Sequence, residues 1–303
     1  QVQESGILMA MTQGGSFNQR RKLKSTLFGV FCLGAAVTAV ILLIILLGSI
    51  LAPGLKRLSW TFLTTFPSEF LKPPGGILPG LVGSAALVAL CGIVTIPIGL
   101  AAAVYLEEFA DRKSRFSSFI EVNINNLSGV PSIVFGMLGL GIFINLFGME
   151  TGLLTGALTM SLLILPMVIL VSREAIRAVP QYYREGSLAL GSTQGQMIWR
   201  MVLPNALPGI LTGVILSLSR AIGETAPLIV VGAAFFLTNL PQNLDSKYTA
   251  LPLLIYDWSS KPSGQIHFRE GAASAIIVLM VTLLLLNSVA IIIRARAEKK
   301  QRA

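Results

Sequence analysis

Arg220 and Glu224 stand four residues apart inside an apolar run that extends from Gly209 to Leu237. That separation places two side chains on one face of a helix. A guanidinium offers a planar fork of donors suited to the oxygens of phosphate, and a carboxylate beside it can orient the fork and keep a bound anion from staying. An ionisable group at the centre of a membrane helix costs roughly 2.5–3.5 kcal/mol on insertion scales, so residues kept there tend to have a use. The competing explanation is a self-neutralising pair packed between helices. Buried pairs often add nothing to net stability, which argues against stability as the sole reason for keeping one. Counting helical rise from Gly209 puts Arg220 roughly 16 Å into its span, near the middle of a ~30 Å hydrocarbon core.

The remaining reactive side chains exclude more than they suggest. His267 is the only histidine, and Cys32 and Cys91 both lie in apolar runs, where a thiol behaves as a small hydrophobe. No disulfide, metal site, cofactor or catalytic residue is expected. No G-x-x-x-x-G-K-[ST] run occurs, so the chain has no P-loop of its own. Only 12% of residues are charged and 53% are hydrophobic, against about 25% charged in a soluble domain. So few charges cannot cover a globule, and the chain must face lipid. The net charge of +9 then reports topology, because the polar segments lack the aromatic and basic texture of a nucleic-acid platform. No nucleic-acid partner is expected.

These residues need helices to hold them. Six runs meet the roughly 20-residue requirement for a membrane span: 27–51, 80–106, 128–147, 152–171, 210–236 and 272–293. The expected fold class is an all-α membrane protein of six transmembrane helices. Residues 1–26 form an N-terminal tail, with 1–19 expected to be disordered, and 27–51 an uncleaved anchor helix. Residues 79–293 form the transmembrane domain and 294–303 a C-terminal tail. Basic residues crowd one side: Arg20, Arg21, Lys22 and Lys24, then Arg112, Lys113 and Arg115, then Arg173, Arg177, Arg184 and Arg200, and five from Arg294 to Arg302. The other side holds Lys56, Arg57, Lys72, Lys247, Lys261 and Arg269. The positive-inside rule places both termini in the cytoplasm. Pro97, Pro131, Pro166 and Pro227 are expected to kink their spans. Glycines such as Gly152 and Gly156 are expected to serve helix packing. Residues 148–151 read as a tight turn and 238–271 as a long outer loop without an apolar span, its Tyr248, Tyr256 and Trp258 suiting an interfacial belt.

The loop between the fourth and fifth spans carries a second motif. It reads Tyr183-Arg-Glu-Gly-Ser-Leu-Ala-Leu-Gly191, continuing to Met201-Val-Leu-Pro204. Residues 181–190 suit a short amphipathic helix, with Tyr182, Leu188 and Leu190 apolar and Arg184 and Glu185 polar, and Gly191 can end it in a left-handed conformation. Such a helix can lie in a partner's groove; an interfacial helix resting on lipid is the alternative. This segment resembles the E-A-A-x₃-G-x₉-I-x-L-P loop of importer permeases of the ATP-binding cassette (ABC) class. Glu185, Gly191, Leu203 and Pro204 match; Gly186 and Ser187 stand for the two alanines, and Met201 for isoleucine. Gly129-Val-Pro-Ser-Ile-Val-Phe-Gly136 and Ser219-Arg-Ala-Ile-Gly-Glu-Thr-Ala-Pro-Leu228 are similar to signatures of the permeases of the high-affinity phosphate importer, the latter in the form of the A-type of its two permeases. The resemblance covers about residues 20–295.

What the resemblance implies is a type I importer permease with a cytoplasmic coupling helix, in the bacterial inner membrane. It implies partners as well: a C-type permease that completes the pathway, two copies of an ATPase docked at 181–204, and an extracytoplasmic phosphate-binding protein. Glu185, Gly186, Ser187, Gly191, Leu203 and Pro204 are then the coupling residues, and Arg220 and Glu224 the substrate pathway. A permease for another oxyanion, such as molybdate or sulfate, and a self-contained secondary transporter or channel are the alternatives. Since the chain lacks a P-loop, the isolated subunit is expected to bind no ATP; calorimetric titration that detects binding would refute this.

Overall fold

The computed structural model describes residues 2–68, 75–111, 114–262 and 266–302, with side chains between 24 and 296 except Ile266. Lys72, Arg112 and Lys113 lie outside the described residues, as do the side chains of the basic residues in both tails other than Lys24, Arg294 and Arg296. Among the described residues the chain is helical, without strands. Residues Gln1–Ala52 and Pro53–Ala303 form two separate units. Among the described residues five helices are long and apolar enough to cross a membrane, and a sixth crossing is available only if one bent pair counts as a span.

The first unit is most of helix α1, Val2–Arg57, whose membrane-length part is Lys24–Arg57. Most of its apolar side chains, Phe31 and Leu33 among them, are exposed, as lipid-facing residues must be. The stretch 1–19, expected to be disordered, is helical from Val2. Once an apolar segment has nucleated a helix, each added residue gains a hydrogen bond at little cost.

In the second unit, α2 (Trp60–Thr64) precedes α3 (Leu78–Val104), which continues as a π-helical turn over Tyr105–Phe109. Then come α4 (Arg115–Ser128) and α5 (Ser132–Gly139, with a π-helical extension Leu140–Leu146). Helix α6 (Leu153–Arg177) leads to the short α7 (Gln181–Ala189). Helix α8 (Gln194–Met197) runs through a π turn into α9 (Leu203–Ile222). After α10 (Ala226–Val230) and α11 (Leu251–Ser260), α12 spans Ile266–Arg302. The core lies where α3, α6 and α9 meet, around Leu87, Met160, Val168, Ile210 and Val214. Gly99 lies against Val168 and Gly213 against Val171, which is how helices without polar glue approach closely.

Two spans differ from expectation. Beyond Ser128, where α4 ends, the run 128–147 is helical only from Ser132 to Leu146, and that helix meets α4 at 107° across Gly129–Pro131. Pro131 caps α5 instead of kinking a span, because its ring fixes φ while its missing N–H costs nothing at a helix start. The run 210–236 is also broken. The helix begins at Gln194 and ends at Ile222, and only the five residues of α10 follow before the chain turns irregular. Proline at 227 cannot donate to a continuing helix and instead opens α10.

The long loop also differs. It contains α11, and Tyr248 and Trp258 are buried rather than interfacial, while Tyr256 is exposed. The loop carbonyls of Ser246 and Leu244 accept from the first amides of α6, Leu153 (3.1 Å) and Leu154 (2.8 Å), which a helix start leaves unpaired. Gly152 and Gly156 therefore serve this loop, not helix–helix packing: a side chain at Gly152 would meet the Asp245 backbone and one at Gly156 the Tyr248 hydroxyl. That hydroxyl is buried without a hydrogen-bond partner among the described residues, and burial pushes the phenol's pKa upward. Overpacking of this kind costs about 1–3 kcal/mol, so Gly156→Ala should lower the unfolding temperature. Tyr248→Phe, which removes an unpaired buried hydroxyl, should be neutral or stabilising and should soften the Gly156→Ala defect in the double variant. Thermal unfolding of the four proteins in one detergent checks this.

Candidate functional site

The charged pair sits at a helix break. Arg220 occupies the last turn of α9, the amide of Gly223 bonds back to its carbonyl at 3.1 Å, and that of Glu224 to Ala221 at 3.1 Å. These three-residue turns close the helix and place Glu224 beyond its end. A cation in the final turn complements the negative end of the helix dipole, and a carboxylate just past it does not. The two groups thus offset each other's placement. The mid-helix position expected from hydropathy is corrected. From Gln194, Arg220 is about 39 Å along the helix, because α9 continues a segment that starts in the preceding loop.

The pair is loose. Arg220 Nε lies 3.7 Å from Glu224 Oε1, with the side chains 61% and 21% exposed. That exceeds hydrogen-bond distance. Glu224 is Arg220's only charged partner among the described residues. Both border a recess of about 270 Å³ between the two broken segments. One wall is Leu127–Ser132 at the α4–α5 bend, the other Ser217, Arg220, Ala221 and Glu224, and Leu163, Ile164 and Met167 of α6 line the rest. The segments 129–136 and 219–228, far apart in sequence, are therefore neighbours. Gly136 seals them, since a side chain there would meet Pro227 and Val230.

The second group of expected residues lies on α7. The helix ends as expected: Gly191 has φ +82°, its amide bonds to Leu188 O (2.9 Å), and the amide of Ser192 bonds to Ser187 O (3.2 Å). This pair of bonds is the Schellman arrangement. The apolar side chains Tyr182, Leu188 and Leu190 point outward, as does Trp199 beyond them, with Leu190 89% exposed. Glu185 and Gly186 are exposed, Ser187 is buried, Leu203 is partly buried, and Pro204 is exposed at the start of α9. The structure brings 185–191 together on one projecting element, while Leu203 and Pro204 lie across the π turn. Arg184, expected on the polar outer face, instead turns inward to Glu108. Glu107 and Glu108 escaped the sequence reading entirely. The signal was there: two adjacent carboxylates at the end of one apolar span face Arg173 and Arg177 at the end of another and Arg184 on α7.

Solved structures share this architecture. A bacterial alginate ABC transporter bound to an alginate-loaded periplasmic protein superposes with a TM-score of 0.62 at 15% identity, over 87% of this chain and 92% of that one. The inward-facing MetNI methionine ABC transporter gives 0.57 at 15% identity, over 73% and 95%. The fold is that of an ABC importer permease. The chain belongs to the family of binding-protein-dependent transport system inner membrane components, whose pattern matches residues 95–303. It is a multi-pass inner-membrane permease and not itself an enzyme. Among its relatives, the phosphate transport system permease protein PstA 1 of Mycobacterium tuberculosis is 33% identical over 93% of this chain and 91% of its own length. The probable ABC transporter permease protein YqgI of Bacillus subtilis is 34% identical over 84% and 89%. A probable phosphate permease of Methanocaldococcus jannaschii is 31% identical over 87% and 92%.

Gly191 offers a clean local test, because a side chain there would meet nothing within 4 Å. The cost of Gly191→Ala is therefore backbone strain alone, about 1–2 kcal/mol for a left-handed residue. Amide exchange over 187–192 should quicken roughly 5- to 30-fold in Ala, and much less in Asn, which tolerates this conformation. Equal protection in both would refute the reading.

Proposed function

We propose that the chain is the A-type permease of an ATP-driven phosphate importer. The observation that carries this is the Arg220 fork, loosely held and opening on a recess between two broken helices. Phosphate as the cargo is supported by relatives named phosphate permeases at 31–33% identity over most of the chain. In lipid, irregular backbone is tolerated where protein or a water-filled cavity surrounds it, so paired breaks suit a pathway. Arg220 would engage two phosphate oxygens, and Glu224, already within 3.7 Å, would hold the fork between visits and limit how long the anion stays.

The assembly follows from the same reading. A C-type permease completes the pathway, an extracytoplasmic phosphate-binding protein delivers the anion, and two ATPase copies bind at 181–204. Both termini, with the 1–26 and 294–303 tails, lie in the cytoplasm; 27–51 anchors the chain, and 79–293 is the transporting domain. Outward-facing Tyr182, Leu188 and Leu190 suit an apolar partner groove better than water. Glu185 and Gly186 would meet the ATPase, while Ser187, Gly191, Leu203 and Pro204 set the shape of the docking element.

Arg220→Gln should abolish phosphate uptake by the assembled transporter with assembly intact, and Lys should restore little because it lacks the fork. Glu224→Gln should slow turnover with apparent affinity unchanged or tighter. The Gln–Gln double variant discriminates. A purely structural pair can be removed together at little cost, so robust uptake by the double variant would end Arg220's assignment. Molybdate or sulfate competing as well as phosphate would instead shift the cargo.

A further inference from the structure

Six charged residues outside the recess form a network at the far ends of α3 and α6. Arg177 holds Glu107 in a two-point fork, Nε to Oε1 at 3.0 Å and Nη2 to Oε2 at 3.0 Å. Arg173 Nη2 donates to Glu121 Oε1 of α4 at 3.2 Å and lies 3.6 Å from Glu107 Oε2. Arg184 of α7 does the most. It donates to Glu108 Oε1 through Nε (3.1 Å) and Nη2 (2.8 Å), to the Val179 carbonyl through Nη1 (2.7 Å), and to the Ile176 carbonyl through Nη2 (2.9 Å). The Glu107 and Glu108 side chains are only 2% and 6% exposed.

One guanidinium thus joins three elements: the π turn that ends α3, the last turn of α6 with the connection just after it, and α7. The Ile176 carbonyl also accepts from the Val179 amide at 3.2 Å, and a cation there meets the negative end of the α6 dipole. Gln194, opening α8, adds a bond from Nε2 to the Glu108 carbonyl at 2.7 Å. Apart from Tyr183, which packs against the core, α7 buries only Ser187. Burying charges this deeply is a poor route to stability, whereas fixing a geometry is the use such pairs serve best.

We propose that Arg184 and Glu108 are the link that makes α7 move as one body with the ends of α3 and α6. The proposal rests on the reading of α7 as the ATPase-docking helix. A push on α7 without this link would bend the short connection Ala178–Pro180; with it, the push reaches α3 and α6, which pack on each other along their length. Arg184 is in this sense a positioning residue and touches no phosphate.

The test uses the assembled transporter in proteoliposomes, with uptake of inorganic phosphate and ATP hydrolysis measured together. Arg184→Gln should raise the ATP consumed per phosphate moved about tenfold, the scale of a lost charge-assisted pair. Lys should rescue little, since one ammonium cannot span Glu108 and two carbonyls. Glu108→Gln should fall between, and Arg115→Gln, an exposed cation on α4, should match the unmodified transporter. A Leu190→Cys cross-link to the ATPase, made in each background, reports docking separately. A cross-link retained in Arg184→Gln together with raised ATP cost is the expected result. Retained cross-linking with an unchanged ratio overturns the link alone. No cross-link in the Arg184-containing chain overturns the docking reading, and the link with it. If Arg184→Gln does not assemble, Glu108→Gln carries the same criteria, and failure of both to assemble makes the network purely structural and overturns the proposal.

Discussion

A backbone amide or carbonyl left unpaired in hydrocarbon costs several kcal/mol, and this constraint shapes the molecule. Three helix ends here have partners for the groups they expose. The α9 terminus closes through the Gly223 and Glu224 amides. The first amides of α6 are met by loop carbonyls of Leu244 and Ser246. At the end of α6, Arg184 bonds the Ile176 carbonyl and that of Val179 just beyond it. The long outer loop is therefore part of the helical core's hydrogen-bond accounting, and its Tyr248 and Trp258 are buried rather than set at an interface.

The same constraint explains which features were legible in the sequence. Span existence follows from length and apolarity, so Leu78–Phe109, Leu153–Arg177 and His267–Arg296 fall where hydropathy puts them. The end of α7 at Gly191 was legible because a left-handed glycine cap is a local matter of sterics. Breaks were not legible. Hydropathy averages over Gly129–Pro131 and Gly223–Pro227, where the decisive facts are a missing proline N–H and a helix end that a neighbour can satisfy. Arg220 was placed mid-helix because the window began at Gly209, whereas the helix itself runs from Gln194 through polar residues that no hydropathy scale would include.

Charge was legible as type and misleading as place. Arg173 and Arg177 entered the sequence reading only as markers of the cytoplasmic side, and Arg184 as such a marker and as a polar residue of the 181–190 helix, on the premise that these charges sit in water. Arg173 and Arg184 are in fact largely buried. Glu107 and Glu108 drew no notice because the end of an apolar run is a usual place for solvated carboxylates. The π turn over Tyr105–Phe109 removes that default, since it carries both side chains, adjacent in sequence, into the protein. A pattern of two acids closing one span and three arginines closing another is the sequence trace of such a network, but only contact geometry distinguishes it from two solvated ends.

The two arginines at helix ends, Arg184 and Arg220, show how one chemical group serves opposite ends of the proposed cycle. Arg220 stands in the last turn of α9, and Arg184, on the short α7, reaches across to the last turn of α6; both therefore meet a helix end where the dipole favours a cation. Arg184 spends its donors on two backbone carbonyls and a carboxylate at 2.7–3.4 Å; a ligand would have to break several charge-assisted bonds to recruit it. Arg220 has one carboxylate at 3.7 Å and a mostly exposed side chain, so an anion can take its fork while displacing little. Tight satisfaction suits a joint that must carry displacement without yielding. Loose satisfaction suits a stop on a path that cargo must enter and leave. A fold that satisfied Arg220 as fully as Arg184 would gain a rigid corner and lose the opening, and one that left Arg184 as free as Arg220 would let α7 swing without moving the helices behind it.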